Sequence, residues 1–202
     1  ILGHCQFFGT DFYVDSRALI PRPESELLVE EALNFADRCS LRQGCPCLIA
    51  DVGTGSGAIA VAFALHLPQT RIYAMDISAA ALEVAAINCQ RHEVGERVHL
   101  LLGDMLEPLP EPVDLIVANL PYIKDDEMKE LSPEIRMFEP WIALAGGEDG
   151  LDKVCQLLQQ SVCSLRPGGS ILLELGEGQI QEAASLAKHY LPYASVEELP
   201  DL

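Results

Sequence analysis

Cationic residues are scarce in this chain. Thirteen lysines and arginines stand against 31 aspartates and glutamates, for a net charge of −18. A protein that grips a phosphate backbone presents a basic patch, and no Lys/Arg cluster occurs here. Stable nucleic-acid binding is therefore not expected, and the acidity reads as a solubility device. Apolar runs are short. None approaches the roughly 20 residues that cross a bilayer, so no membrane partner is expected. No charged segment precedes an apolar run at the start, so no signal peptide is visible. An initiator methionine is missing too, and a chain opening at Ile1 reads as a fragment or a processed product.

A disulfide framework is also lacking. The cysteines at positions 5, 39, 45, 47, 89, 155 and 163 form an odd set at irregular spacing, which is no pairing pattern. Cys45 and Cys47 make C-x-C, but no second Cys or His pair completes a zinc set, so no metal is expected. Cys89 and Cys155 fall on apolar helix faces, like small core residues. Free thiols of this kind point to a reducing, cytoplasmic location.

What is present is a foldable α/β chain. Its 202 residues, 49% of them hydrophobic, suffice for one domain with a real core. Aromatic runs flank Gly9-Thr10-Asp11 between Phe7 and Val14, a short hairpin signal. Leu19-Ile20-Pro21-Arg22-Pro23 is extended, because two prolines forbid helix. Residues 24–37 read as helix, with Leu27, Leu28, Glu31 and Phe35 at helical spacing, and 39–46 as loop. Strands and helices then alternate. Strands are expected at 48–51, 71–75, 98–102, 113–118 and 170–175, with a further one at 194–199. Helices are expected at 58–67, after the Ser78 cap to about Asn88, at 149–165 and at 179–190. Repeated β-α units imply a parallel sheet with right-handed crossovers.

The strand over Val113–Ala118 runs into Asn119-Leu120-Pro121-Tyr122. In an open α/β sheet, ligands bind beyond the carboxyl ends of the strands. About 60 residues upstream another strand runs into Asp51-Val52-Gly53-Thr54-Gly55-Ser56-Gly57. Those glycines allow a tight turn and close ligand approach. The spacing also satisfies G-x-G-x-x-A with Ala58, so a dinucleotide-binding reading is open. Asp51, however, suits a cationic amino group better than a pyrophosphate. Asp76 ends the next strand, 19 residues beyond Gly57, where a carboxylate can take both ribose hydroxyls; it reads equally as a helix-capping group. Asp104 could accept from an adenine amino group and Met105 lie against the ring, or the pair is an ordinary polar turn.

The Asn119 segment separates the cofactors. An enzyme that methylates an amide or aromatic amine must hold both N–H groups. The Asn119 side-chain oxygen and the Leu120 carbonyl can accept one each. That aligns the nitrogen for attack on a sulfonium methyl and tolerates the positive charge that develops. Tyr122 can wall the substrate plane. Hydride transfer has no use for this loop.

The chain resembles the HemK/PrmC family of release factor glutamine N5-methyltransferases. The likeness covers nearly the whole length. It includes Phe8-Gly9-x-x-Phe12-x-Val14, the specific run Leu19-Ile20-Pro21-Arg22-Pro23-Glu24-Ser25-Glu26, Glu139-Pro140, and Ala143-Leu144-Ala145-Gly146-Gly147-x-Asp149-Gly150-Leu151-Asp152. It implies a Rossmann-like class I S-adenosylmethionine-dependent methyltransferase fold with a small N-terminal β-hairpin. Residues 1–38 would be the hairpin and the helix leading into the core, and 39–202 the methyltransferase domain. It implies that Gly53, Thr54, Gly55, Ser56, Gly57, Asp76, Met105 and Asn119 line the cofactor site, and with Asp51, Ile77 and Asp104 these are the expected cofactor-binding residues. Asn119, Leu120, Pro121 and Tyr122 would hold the substrate, with Asn119, Pro121 and Tyr122 as the catalytic set. The partner implied is a peptide chain release factor, methylated at the glutamine of its Gly-Gly-Gln loop.

Three departures stand out. Leu120 replaces the first proline of the family's usual Asn-Pro-Pro-Tyr, which loosens the loop. The family's N-terminal helical domain is expected to be absent. The chain stops at Pro200-Asp201-Leu202, where relatives continue into a final strand. Three rivals stay open. One is an N-methyltransferase for an exocyclic amine of DNA or RNA, which would need base flipping. Another is a non-catalytic cofactor-binding module. The third is a dehydrogenase.

Overall fold

The computed structural model describes residues 3–199. The ends of the chain, on which the readings at Ile1 and at Pro200-Asp201-Leu202 fall, lie outside the described residues. A hairpin opens it: β1 (His4–Phe7) pairs antiparallel with β2 (Thr10–Tyr13). Then follow α1 (Ser25–Gln43), β3 (Leu48–Val52), α2 (Ala58–His66), β4 (Arg71–Asp76), α3 (Ala79–Arg91), β5 (Val98–Leu102) and β6 (Val113–Asn119). The second half holds β7 (Ile123–Lys124), α4 (Pro133–Phe138), β8 (Ala145–Gly147), α5 (Asp152–Ser164), β9 (Leu165–Glu174) and α6 (Ile180–Tyr190).

The main sheet is parallel, in the order β5-β4-β3-β6-β9. Its central strands are buried on both faces, and alternate residues serve opposite helical layers. Ile49, Leu115 and Val117 join a cluster with Val29, Ala32 and Ala36 of α1 and Val61 and Phe63 of α2. Ala50, Val52, Ile116 and Ala118 join another with Val154, Leu157 and Leu158 of α5. The sheet is thus the middle layer of an α/β/α sandwich. β4 and β5 extend to one side of β3, and β6 and β9 to the other. Strand order therefore reverses between β3 and β6, and a crevice opens at their carboxyl ends.

Four local expectations change. The loop expected at 39–46 is helical to Gln43, because Cys39 is buried and completes the sheet-facing stripe; Gly44 then closes the helix with its N–H on Ser40 O. That stripe is Ser25, Leu28, Val29, Ala32, Ala36 and Cys39, while Leu27 and Phe35 flank it half-buried. The expected 149–165 helix is shorter, Asp152–Ser164, and β9 starts at once, with a register irregularity against β6 over the Pro167-Gly168-Gly169 stretch. No strand forms over 194–199 among the described residues, and that stretch is exposed. A strand there would need a ladder partner to satisfy its backbone, and none is paired to it.

Asn88, buried in α3, ties the hairpin to the core. Its Oδ1 accepts from Tyr13 N–H (2.8 Å), and its Nδ2 donates to Tyr13 O (2.9 Å) and Ser56 O (2.8 Å). A backbone strand would be satisfied in the same way.

Candidate active site

Two loops meet at the crevice, one after β3 and one after β6. In the first, the Gly53 and Thr54 N–H groups both donate to Met75 O at 2.9 Å, and the Gly55 N–H donates to Asp76 Oδ2 at 2.9 Å. Gly57 ends the loop at φ 79°, where an added Cβ would lie 3.0 Å from Ala85 Cβ. Only glycine lets α3 pack this closely. Thr54 and Ser56 are buried, with Thr54 turned toward Asp51.

Two neighbouring central strands each carry a buried carboxylate, with opposite treatment. Asp114, near the start of β6, accepts from Leu48 N–H (2.8 Å), Gln43 Nε2 (3.0 Å) and Arg166 (3.0 Å). It is a satisfied structural acid. Asp51, near the end of β3, accepts from Thr54 Oγ1 at 2.6 Å and feels the Ala60 N–H, while its Oδ1 is buried without a hydrogen-bond partner among the described residues. Burial pushes the Asp51 carboxyl up to about 7, against the opposing Thr54 bond. A buried acceptor left unsatisfied is costly, and of the two acids it is Asp51 that bears this cost.

Asp76, at the end of β4, accepts from Ser78 N–H at 2.8 Å through Oδ1, as well as from Gly55. Burial raises its pKa, opposed by the backbone N–H groups around it. Ile77 beside it is 51% exposed, an apolar surface at the crevice edge. Asp104 Oδ2 accepts from Gln156 Nε2 at 2.7 Å. Met105 takes φ 50° and is buried in the α5-side core.

In the second loop, Leu120 is buried, its Cδ2 3.5 Å from where a Gly53 Cβ would stand. The isobutyl group therefore packs this loop against the glycine loop. The Asn119 Nδ2 donates to Ser25 Oγ at 2.8 Å, and Ser25 Oγ donates to Glu174 Oε2 at 2.6 Å. Gln179 Nε2 donates to Tyr122 O at 2.9 Å. Gly146 lies so close that an added Cβ would meet Pro121 O and Tyr122 Cα at 2.8 Å. The Ala145–Gly150 stretch thus backs the Asn119–Tyr122 loop, and the β7–β8 ladder fastens it. Burial raises the Tyr122 phenol, reinforced by the charges of Glu174 and Glu24. It stays neutral near pH 7.

A cavity of about 470 Å³ opens beside this loop, lined by Asn119, Leu120 and Tyr122 together with Ile20, Arg22 and Phe138. Glu139 borders it as well, with its side chain 5% exposed and ion-paired to Arg22. Nothing in residue spacing announced roles for Ser25, Glu174 or Gln179. Ser25, Arg22 and Glu139 do lie within the specific sequence runs, which was the available signal. Elsewhere, Cys39 and Cys47 come together with Asp114, but three protein donors already engage that carboxylate. All seven cysteines are free thiols. Among the described residues, no helix is long and apolar enough to cross a membrane.

A family model described as the methyltransferase small domain matches residues 39–139. A release factor glutamine methyltransferase from Gloeobacter violaceus is 42% identical over 202 residues, covering 100% of this chain and 69% of the relative. One from Moorella thermoacetica is 44% identical, with the same coverage of each. A solved methyltransferase from Pyrococcus furiosus superposes with a TM-score of 0.64 at 18% identity, over 91% of this chain and 77% of that one. That last likeness is one of fold.

Proposed function

The chain belongs to the release factor glutamine methyltransferases, and from that premise we propose how its residues accomplish methyl transfer from S-adenosylmethionine to the side-chain nitrogen of a release-factor glutamine. The observation that carries the reading is the pairing of an unsatisfied buried Asp51 with an oriented Asn119 across one crevice.

The residues present fit this cofactor. The Asp51 carboxylate offers a buried, unpartnered oxygen suited to an amino cation. Asp76 sits where a ribose diol can be held, and Ile77 offers an apolar face to an adenine ring. Asp104, Met105 and the loop Gly53, Thr54, Gly55, Ser56, Gly57 complete the cradle. When bound, the cofactor would supply an electrophilic sulfonium methyl and leave as the thioether S-adenosylhomocysteine.

The chain's own work lies on the substrate side. Asn119 Oδ1 and the Leu120 carbonyl accept the two N–H groups of the glutamine amide and hold its nitrogen in line. These same acceptors stabilise the charge that grows on nitrogen during attack. Pro121 stiffens the loop, and Tyr122 walls the amide plane inside the 470 Å³ cavity. The methylated glutamine is that of the Gly-Gly-Gln loop. The nitrogen gives its proton to solvent after attack, so a neutral Tyr122 suffices.

The test is incubation with labelled S-adenosylmethionine and a release factor, followed by peptide mass mapping. Label on the Gly-Gly-Gln glutamine is expected. Asn119→Ala should lower turnover at least about 100-fold, the scale seen when a positioned polar group leaves a transition state. Cofactor affinity should fall far less. Single-turnover methylation near the wild-type rate would remove Asn119 from the chemistry.

A further inference from the structure

We propose that Ser25 and Glu174 are positioning residues that set the polarity of Asn119, so that its carboxamide presents an acceptor, and not a donor, to the substrate amide. The inference rests on the role given to Asn119 above.

An asparagine side chain is nearly symmetric in shape. Rotated by half a turn, it would place an NH2 where the carbonyl oxygen should be. Two donors would then face each other, and the substrate nitrogen would be repelled. Something must distinguish the two orientations, and the protein does so through three elements that meet at this point.

β9 supplies Glu174, which stands directly beside Asn119 in the β6–β9 register. The N-terminus of α1 supplies Ser25, 3% exposed, between them. A carboxylate can only accept. The Ser25 hydroxyl therefore gives its single proton to Glu174, at 2.6 Å. That leaves Ser25 Oγ with lone pairs alone toward Asn119, at 2.8 Å. Only the Asn119 NH2 can satisfy them, so Oδ1 is the atom turned away from the relay. Charge on Glu174 fixes the direction of one hydroxyl, and that hydroxyl fixes the direction of one amide. Ser25 is too buried for water to take over its part.

The relay separates geometry from polarity, and this makes it testable. Glu174→Gln keeps size and hydrogen-bonding capacity but can donate as well as accept. Ser25 is then free to donate toward Asn119, and the amide can flip. We expect kcat to fall about 10- to 100-fold, between a mild misalignment and outright loss of a positioned group. The Kd for S-adenosylmethionine should stay within about twofold, since neither residue belongs to the cofactor cradle. Ser25→Ala should show the same split between kcat and Kd, and Ser25→Thr, which restores the hydroxyl, should recover most of the lost rate. In an Asn119→Ala background, Glu174→Gln should cost nothing further, because no amide remains to orient.

All variants are assayed on the intact protein with a release factor, beside thermal melts. Should Glu174→Gln and Ser25→Ala keep the wild-type kcat while Asn119→Ala loses it, the relay is wrong and the role of Asn119 survives. If Asn119→Ala itself retains activity, the prior reading fails first. Full additivity of Glu174→Gln with Asn119→Ala, or a kcat loss in Ser25→Thr equal to that in Ser25→Ala, overturns the relay as well. The near-isosteric Glu174→Gln and Ser25→Thr carry the decision if Ser25→Ala proves unstable.

Discussion

Replacing Asp51 by asparagine should stabilise the ligand-free protein while crippling cofactor binding, and the size of the first effect should depend on pH. Burial raises this carboxyl from an ordinary 3.8 to about 7. A carboxyl raised on folding holds its proton more tightly in the native state. Its ionisation therefore opposes folding: stability is highest below the unfolded value and declines as pH rises from about 4 to about 7, then levels off. Across that interval, at roughly 1.4 kcal/mol per pH unit, the wild type loses about 4 kcal/mol. Asparagine never ionises and keeps an oxygen for the Thr54 hydroxyl. The stability difference between variant and wild type should therefore widen by about 2–3 kcal/mol between pH 5 and pH 8. Urea denaturation of both ligand-free proteins at several pH values measures it. Calorimetry supplies the other half. Wild-type affinity for S-adenosylmethionine should rise with pH through about 7, as the acid ionises to meet the amino cation. Affinity of the variant should be lower at pH 8 by about 1.5–3 kcal/mol, the worth of a charge-assisted hydrogen bond, and flat with pH. A stability difference that stays constant from pH 5 to pH 8 would refute the picture of Asp51 as a buried acid awaiting a cation.

Two further outcomes test the frame around the site. Asp76→Ala should weaken S-adenosylmethionine binding by about 1.5–3 kcal/mol; unchanged affinity in the calorimeter would leave Asp76 with only its bonds to Gly55 and Ser78. Asn88→Ala strips partners from Tyr13 N–H, Tyr13 O and Ser56 O, and should cost about 2–4 kcal/mol in urea denaturation, with loss below 1 kcal/mol showing that the hairpin holds without it.

The alternation of apolar strands and helical stripes from Leu48 onward dictated a parallel sheet, because a chain with that rhythm has few other ways to bury both faces. Glycine spacing after β3 and the Asn-x-Pro-Tyr run after β6 marked the two loops that meet at the crevice. Both signals are local: they depend on what one turn of backbone must do. Boundaries were less legible. The extension of α1 to Gln43 depended on Cys39 finding the sheet, which is a tertiary event, and the expected strand at 194–199 had the right composition but no ladder to join.

Residue order alone thus determined the sheet, its two loops and the types of group they carry, since period, turn chemistry and donor capacity are properties of short segments. Which groups act together was decided only by folding. Ser25, Asn119 and Glu174 lie 94 and 55 residues apart along the chain and within hydrogen-bond reach in space. Residue order set Asp51 beside the glycine loop, but its contrast in solvation with Asp114, another acid in an apolar strand, came only with folding. The fold surrounds Asp114 with donors at the closed end of the sheet and leaves Asp51 short of them at the open end, and that difference separates an acid engaged by three protein donors from one with a buried oxygen unpaired.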